Sequence, residues 1–213
     1  MSTTVTMQDH LIGALRSGSL TRQPWPHGYL AETLPRDVAL RLSRSFDTLS
    51  LTPCEETERE KTYRFRTARL YGLAADGPPI ADWATMVAAL TAPAYRQAMS
   101  GLTDVALEHA ELTIDLWEYQ TGDWLAPHVD KPDKLVTQIF YLTQIWRPDD
   151  GGRLLILRSA RSSTVARALA PMLGASAVLV RSEHSWHAVE PPGPHSAPRR
   201  SLTATFWAPN PER

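Results

Sequence analysis

One cysteine, Cys54, in 213 residues leaves no internal disulfide to staple the fold, so a reduced chain is expected. Charge of one sign is also missing. With 22 basic against 23 acidic side chains, no electrostatic footprint draws nucleic acid or an acidic membrane surface. No apolar run approaches the roughly 20 residues that a membrane-crossing helix needs, so no membrane partner is expected. The start, MSTTVTMQDHLIGALRSG, lacks the basic opening and apolar core of a secretory leader, and a cytoplasmic location is the expectation. The chain is 43% apolar, enough to bury a core. The expectation is one domain over 1–213, monomer or homodimer, with a small molecule as its partner.

The first half, 1–110, reads as helix-rich support and substrate elements. TMQDHLIGALRSG and LPRDVALRLSRSFDTL carry helical apolar faces, and QPWPHGYL between them reads as a proline-punctuated connector. In TYRFRTARL, Tyr63, Phe65 and Thr67 alternate with Arg64 and Arg66, which predicts a strand. A turn at ADGPP precedes a helical segment interrupted or ended near Pro93. From 111 to 209 the pattern changes to short strands: LTIDLWEY, LVTQIFYLTQIW, GGRLLIL, ASAVLVRS, WHAVE and SLTATFW. Six short strands without long intervening helices predict a barrel or double sheet, mainly β, with the N-terminal helices packed on one outer face.

WLAPHVDK places His128 and Asp130 two residues apart, on one face of an extended segment. The later HSWHAV supplies His187 at the head of an apolar strand. Two imidazoles and one carboxylate make the facial triad of non-haem Fe(II) oxygenases, which leaves coordination positions open. A structural zinc site would prefer thiolates that this chain does not possess. His184 competes with His187, but the two fall on opposite faces of an extended chain, and the apolar run after His187 favours it.

An open Fe(II) site needs electrons to activate dioxygen, and a 2-oxo acid supplies two by oxidative decarboxylation. Its far carboxylate needs a cation. In RRSLTATFW, Arg199, Ser201, Thr203 and Thr205 share one face, whereas Arg200, Leu202, Ala204 and Phe206 share the other. The polar face is expected to line a cavity, where arginine can fork onto a carboxylate. Arg64 and Arg66 are candidates for a substrate carboxylate, and Trp124 for a pocket wall.

Taken in order, EYQTGDWLAPHVD, FYLTQIWRPDDGGRLLIL, SWHAV and RRSLTATFW resemble the iron- and 2-oxoglutarate-dependent dioxygenases, in their prolyl-hydroxylase-like branch. The resemblance spans residues 111–209 in detail and the first half only loosely, through PWPHGYLAETLP. It implies a double-stranded β-helix, the cupin-like jelly-roll barrel, as catalytic core. It implies His128, Asp130 and His187 as iron ligands, with Tyr141, Tyr119, Arg199 and Ser201 around 2-oxoglutarate. Arg200 adjoins Arg199 and leaves the choice of arginine open, with Arg199 preferred for its polar strand face. The loop from His187 to these arginines is longer than in the nearest relatives of the pattern. Fe(II), 2-oxoglutarate and O2 are thereby implied, with ascorbate as a supporting reductant and hydroxylation of an unactivated C–H bond as the outcome. Asp130 fills the slot that a halogenase leaves to chloride. A compact chain favours an amino acid, a carrier-bound amino acid or a natural-product intermediate as substrate. A prolyl or other residue of a peptide or protein is the alternative, as are desaturation, cyclisation or epimerisation by the same iron chemistry. A non-catalytic metal- or ligand-binding barrel is the alternative of another class.

Overall fold

The computed structural model describes residues 6–72 and 81–209, so the turn expected at ADGPP lies outside the described residues. Among the described residues, four α-helices precede the main run of strands. α1 (Met7–Ser17) is capped by Thr6, whose hydroxyl accepts from the Asp9 amide at 3.1 Å while the Asp9 carboxylate accepts from the Thr6 amide at 3.3 Å. It buries Leu11, Ile12 and Leu15 on one stripe. After β1 (His27–Leu30), α2 (Arg36–Ser45) starts directly behind Pro35. β2 (Thr52–Glu56) and β3 (Tyr63–Tyr71) form a hairpin. The segment expected to break near Pro93 is two helices, α3 (Ala81–Thr91) and α4 (Pro93–Thr103), with Pro93 in the first turn of the second, where its missing N–H costs nothing.

Then come β4 (Glu111–Tyr119), β5 (Trp124–His128), β6 (Lys134–Tyr141), β7 (Leu154–Leu157), β8 (Val165–Leu169), β9 (Ser176–Val180), β10 (His187–Val189) and β11 (Arg199–Trp207). The strands hydrogen-bond in the order β1-β9-β6-β11-β4-β3-β5-β10-β7-β8, with β2 added beside β3. Every pairing is antiparallel. This is the barrel, mainly β and with helices on one face, that the strand pattern predicts, in the double-stranded β-helix form that the resemblance implies.

Strand alternation sorts the side chains into two cores. On β11, Leu202, Ala204 and Phe206 face Leu112, Ile114 and Leu116 of β4 and the helices that carry Trp83, Met86 and Tyr95. Each such large apolar side chain contributes roughly 1.5–3 kcal/mol on burial. Arg199, Ser201 and Thr203, one residue out of phase, face the barrel interior, where Tyr119, Ile139, Tyr141, Leu154 and Leu179 form a second core. The nine residues of β11 thus hold the helices with one face and line the cavity with the other.

Three strands depart from the sequence expectation. QPWPHGYL is no mere connector, because His27–Leu30 within it pairs antiparallel with Ser176–Leu179 of β9. β2 contains Pro53 and two glutamates, and β8 carries Arg167 on an exposed edge. All three are edge elements, where prolines and charges are tolerated and the apolar alternation that betrays a strand is absent. β6 stops at Tyr141, short of the run expected to reach Trp146.

Candidate active site

A cavity of about 220 Å³ opens into the barrel interior and contains His128, Asp130 and His187 in its lining. Their convergence follows from register. His187 of β10 pairs directly with His128 of β5, which puts the two imidazoles side by side on one face, ring centroids 4.2 Å apart. Asp130 follows β5 and turns its carboxylate between them, with Oδ1 3.8 Å from His128 Nε2 and Oδ2 3.9 Å from His187 Nε2. One donor atom from each residue lies within 4.8 Å of the others, close enough to hold one metal ion. His184, the competing candidate, is exposed.

The hydrogen bonds settle which ring nitrogens face the cavity. His128 Nδ1 lies 2.9 Å from the Ala126 carbonyl and His187 Nδ1 lies 2.9 Å from the Ser185 carbonyl. A carbonyl only accepts, so each Nδ1 carries the proton and each Nε2 keeps its lone pair for a ligand. Burial pulls His187 down to about 3, helped by the neighbouring His128, and lowers His128 as well, so both rings are neutral at physiological pH. Burial alone would raise Asp130, but His128, the Lys134 ammonium and His187 together hold it well below the usual carboxylate range. Lys134 Nζ donates to Asp130 Oδ1 at 2.7 Å. Two neutral imidazoles and a fixed carboxylate are the donor set that suits a divalent iron.

Deeper in the barrel, Arg199 is buried and meets no carboxylate among the described residues; Ser201 Oγ accepts from its Nη1 at 3.2 Å. Its guanidinium lies over the rings of Tyr119 and Tyr141, 5.1 and 5.3 Å from their centroids. The Arg199 Nε and the Tyr141 hydroxyl are both fully buried without a hydrogen-bond partner. Burial raises the pKa values of Tyr119 and Tyr141, so both phenols keep their protons. A buried cation and hydroxyls with donors to spare, in the same barrel as the triad, make a cradle for a carboxylate.

Residues 114–207 match the family model described as the 2OG-Fe(II) oxygenase superfamily, and all three triad residues, Tyr119, Tyr141, Arg199 and Ser201 fall inside the match. These residues belong to the 2OG-Fe(II) oxygenase superfamily. No curated protein sequence matches the chain. Among solved structures, a Pseudomonas putida prolyl-4-hydroxylase is similar at 21% identity and a TM-score of 0.66, over 96% of this chain and all of that one. A Trichoplax adhaerens prolyl hydroxylase in complex with a hypoxia inducible factor peptide fragment is similar at 14% identity and a TM-score of 0.58, over 94% and 88% of the two chains. EvdO2 from Micromonospora carbonacea, complexed with 2-oxoglutarate, is similar at 15% identity and a TM-score of 0.54, over 98% and 94%. At these identities the structures establish a shared fold.

The matched stretch carries the pattern of a 2-oxoglutarate-dependent dioxygenase, and the neutral, converging Nε2 atoms with Asp130, in the same barrel as an Arg199 that meets no carboxylate among the described residues, fit Fe(II) and its cosubstrate. Five sequence candidates sit elsewhere. Arg200 points to the opposite face of β11, where its Nε donates to Glu118 at 2.9 Å and its Nη2 meets Asp47 at 2.5 Å. Arg64 is bound to Asp123 at 2.7 Å and Arg66 to Glu118 at 3.2 Å, both outside the cavity, because Tyr63 and Phe65 of the same strand take the inward positions. Trp124 should share a face with His128 by simple alternation. It does not line the cavity, because β5 carries one extra residue between the partners of His187 and Val189 and this bulge turns Leu125 inward instead. Trp124 stacks outside under Arg64, 5.1 Å from guanidinium to ring. Thr205, expected in the lining with Thr203, bonds Thr137 at 3.5 Å instead. Sequence reasoning missed Lys61, Lys134 and Trp117 in the lining. Only Trp117 left a readable signal, as the residue two before Tyr119 on an alternating strand.

Proposed function

We propose that this enzyme is an oxygenase that hydroxylates an unactivated C–H bond of a small, amino-acid-like or natural-product substrate. The observation that carries the reading is the buried Arg199, left without a carboxylate, in the same barrel as the His128–Asp130–His187 cluster. In this reading His128, Asp130 and His187 hold Fe(II), and Arg199, Ser201, Tyr119 and Tyr141 hold 2-oxoglutarate. Bound iron supplies, with 2-oxoglutarate and O2, an oxidant strong enough for the C–H bond, releasing succinate and carbon dioxide. Each residue then has a defined task. The Ala126 and Ser185 carbonyls fix the imidazole tautomers. Lys134 clamps Asp130. Arg199 forks onto the far carboxylate of the cosubstrate, and the Tyr141 hydroxyl donates to it in a site that excludes water. Phe65, Tyr63, Leu125 and Val189 wall the remaining space for an apolar body.

The single cysteine and the need for ferrous iron suit a reducing cytoplasm, with ascorbate as a reductant, and we read 1–213 as one domain. Action on a peptidyl residue is the second reading, supported by the peptide-bound prolyl hydroxylase of the same fold. Anaerobic addition of Fe(II) and 2-oxoglutarate tests the site: a visible metal-to-ligand charge-transfer band requires the chelated cosubstrate. Succinate release across amino acids, carrier-bound amino acids and prolyl peptides then tests the reaction. A binder without turnover gives no succinate.

A further inference from the structure

Lys61, in the loop between β2 and β3, lines the same cavity as the triad. The following residue fixes its place: the Thr62 carbonyl accepts from the Ala126 amide at 2.9 Å, and its hydroxyl accepts from Trp124 Nε1 at 3.2 Å. The loop is therefore pinned to β5 two residues before His128. Lys61 keeps contact with solvent, yet enclosure by the cavity mouth draws its ammonium down to about 8, so it stays mostly charged at neutral pH.

Among the described residues, no ion pair joins Lys61 to a carboxylate, and the acidic group that acts on it, Asp130, does so only through space. Glu56 is taken by Arg59 at 3.1 Å, Asp123 by Arg64 at 2.7 Å and Glu118 by Arg66 and Arg200. The one carboxylate in the cavity lining, Asp130, is bound by Lys134. With the site loaded as proposed above, divalent iron offsets dianionic 2-oxoglutarate, Lys134 offsets Asp130, and Arg199 and Lys61 remain as surplus positive charge. A neutral substrate closing the mouth would strip water from the Lys61 ammonium and offer nothing in exchange. An anionic one would complete it. The next inward residues along the chain are aromatic, Tyr63 and Phe65, with ring centroids 4.9 Å apart.

Resting on the oxygenase reading above, we propose that Lys61 anchors the substrate through a free carboxylate, so the substrate is a small acid with an apolar body rather than an internal residue of a peptide. The test begins with the anaerobic charge-transfer band, whose absence would overturn the oxygenase reading and this inference with it. Given the band, succinate release is measured with the twenty proteinogenic amino acids, their N-acetyl derivatives, the matching α-carboxamides and a proline-rich peptide capped at both ends. Acids trigger turnover, and carboxamides and the capped peptide do not. Lys61→Met raises KM for the responding acid about 10- to 100-fold, the loss expected for one charge-assisted hydrogen bond, and Lys61→Arg recovers most of it. Intrinsic tryptophan fluorescence of the metal-free protein, titrated with the same acid, shows the same weakening of Kd without any turnover. Three results each overturn the inference while leaving the oxygenase reading intact: turnover with carboxamides or capped peptide equal to that with acids, no response to any acid, or Lys61→Met binding the acid as tightly as the wild type.

Discussion

Arg199→Met isolates what a buried cation contributes. In the protein without 2-oxoglutarate, the Arg199 guanidinium is desolvated and compensated only by Ser201 and two aromatic faces, whose cation–π attraction is worth roughly 0.5–2 kcal/mol each. Desolvating a charge costs more than that, and even buried ion pairs are often less stable than their apolar replacements, by about 1–4 kcal/mol. Allowing for the lost ring contacts, a net gain of about 1–3 kcal/mol is expected, or roughly 2–12 °C in Tm for a chain of this size. The same change removes two charge-assisted hydrogen bonds to the cosubstrate, each worth about 1.5–3 kcal/mol, and so weakens 2-oxoglutarate about 100-fold or more. Thermal melting with and without 2-oxoglutarate reads both effects at once. The wild type should melt lower and gain about 2.7 kcal/mol at a hundredfold excess over Kd. The variant should melt higher and gain almost nothing. A variant that melts below the wild type and still responds to 2-oxoglutarate would refute the reasoning, because Arg199 would then be a structural group already satisfied by its surroundings.

Asp130→Ala should abolish the charge-transfer band or sharply weaken it, and an unchanged band would remove Asp130 from the ligand set. Lys134→Met leaves the buried Asp130 without its 2.7 Å partner and should cost about 1.5–3 kcal/mol of stability, read as a lower Tm. Arg64→Ala and Arg66→Ala point away from the cavity and should change kcat/KM by less than about twofold, so a larger loss in steady-state kinetics would contradict their placement. Metal-free protein should lose stability as pH falls from about 6.5 toward 3. The unfolded histidines take up protons that the folded His128 and His187 refuse, at up to about 1.4 kcal/mol per pH unit and histidine, and the depressed Asp130 adds to the loss below about pH 4. Denaturant melts at about pH 7.5 and about pH 5 check this slope, and equal stabilities would count against the buried neutral pair.

The alternation of β11 was legible in the sequence because strand period alone separates Arg199, Ser201 and Thr203 from Arg200, Leu202 and Ala204, and the strand is regular opposite β4 over its whole length. The triad was legible in part: two-residue spacing put His128 and Asp130 together, but only the pairing of β10 with β5 brings His187 opposite. Trp124 was misread for the converse reason. A bulge leaves no residue-type signature in WLAPH, and one extra residue reverses the face of everything before it. Arg64 and Arg66 were correctly set apart from Tyr63 and Phe65, but the alternation does not say which face is inside, and the arginines found their carboxylates on the outside. Lys61 lay in the charged run TEREKT, where composition reads as a solvated loop; its place over the cavity depends on Thr62 bonding a strand more than 60 residues further along the chain.

The pairing of His187 with His128 has a consequence for how folding of this protein should be judged. β10 is only three residues long, and it is held between β5 and β7 by few backbone bonds. A slip of one residue would preserve the strand count and nearly all the hydrogen bonding, yet it would rotate one imidazole out of the cavity. Circular dichroism would hardly distinguish the two forms. A metal titration would, because an ion shared by the two strands would reward one alignment alone; such an ion would select the register of the barrel as well as furnish chemistry, and preparations folded without metal should contain a fraction that metal added later recovers slowly or not at all.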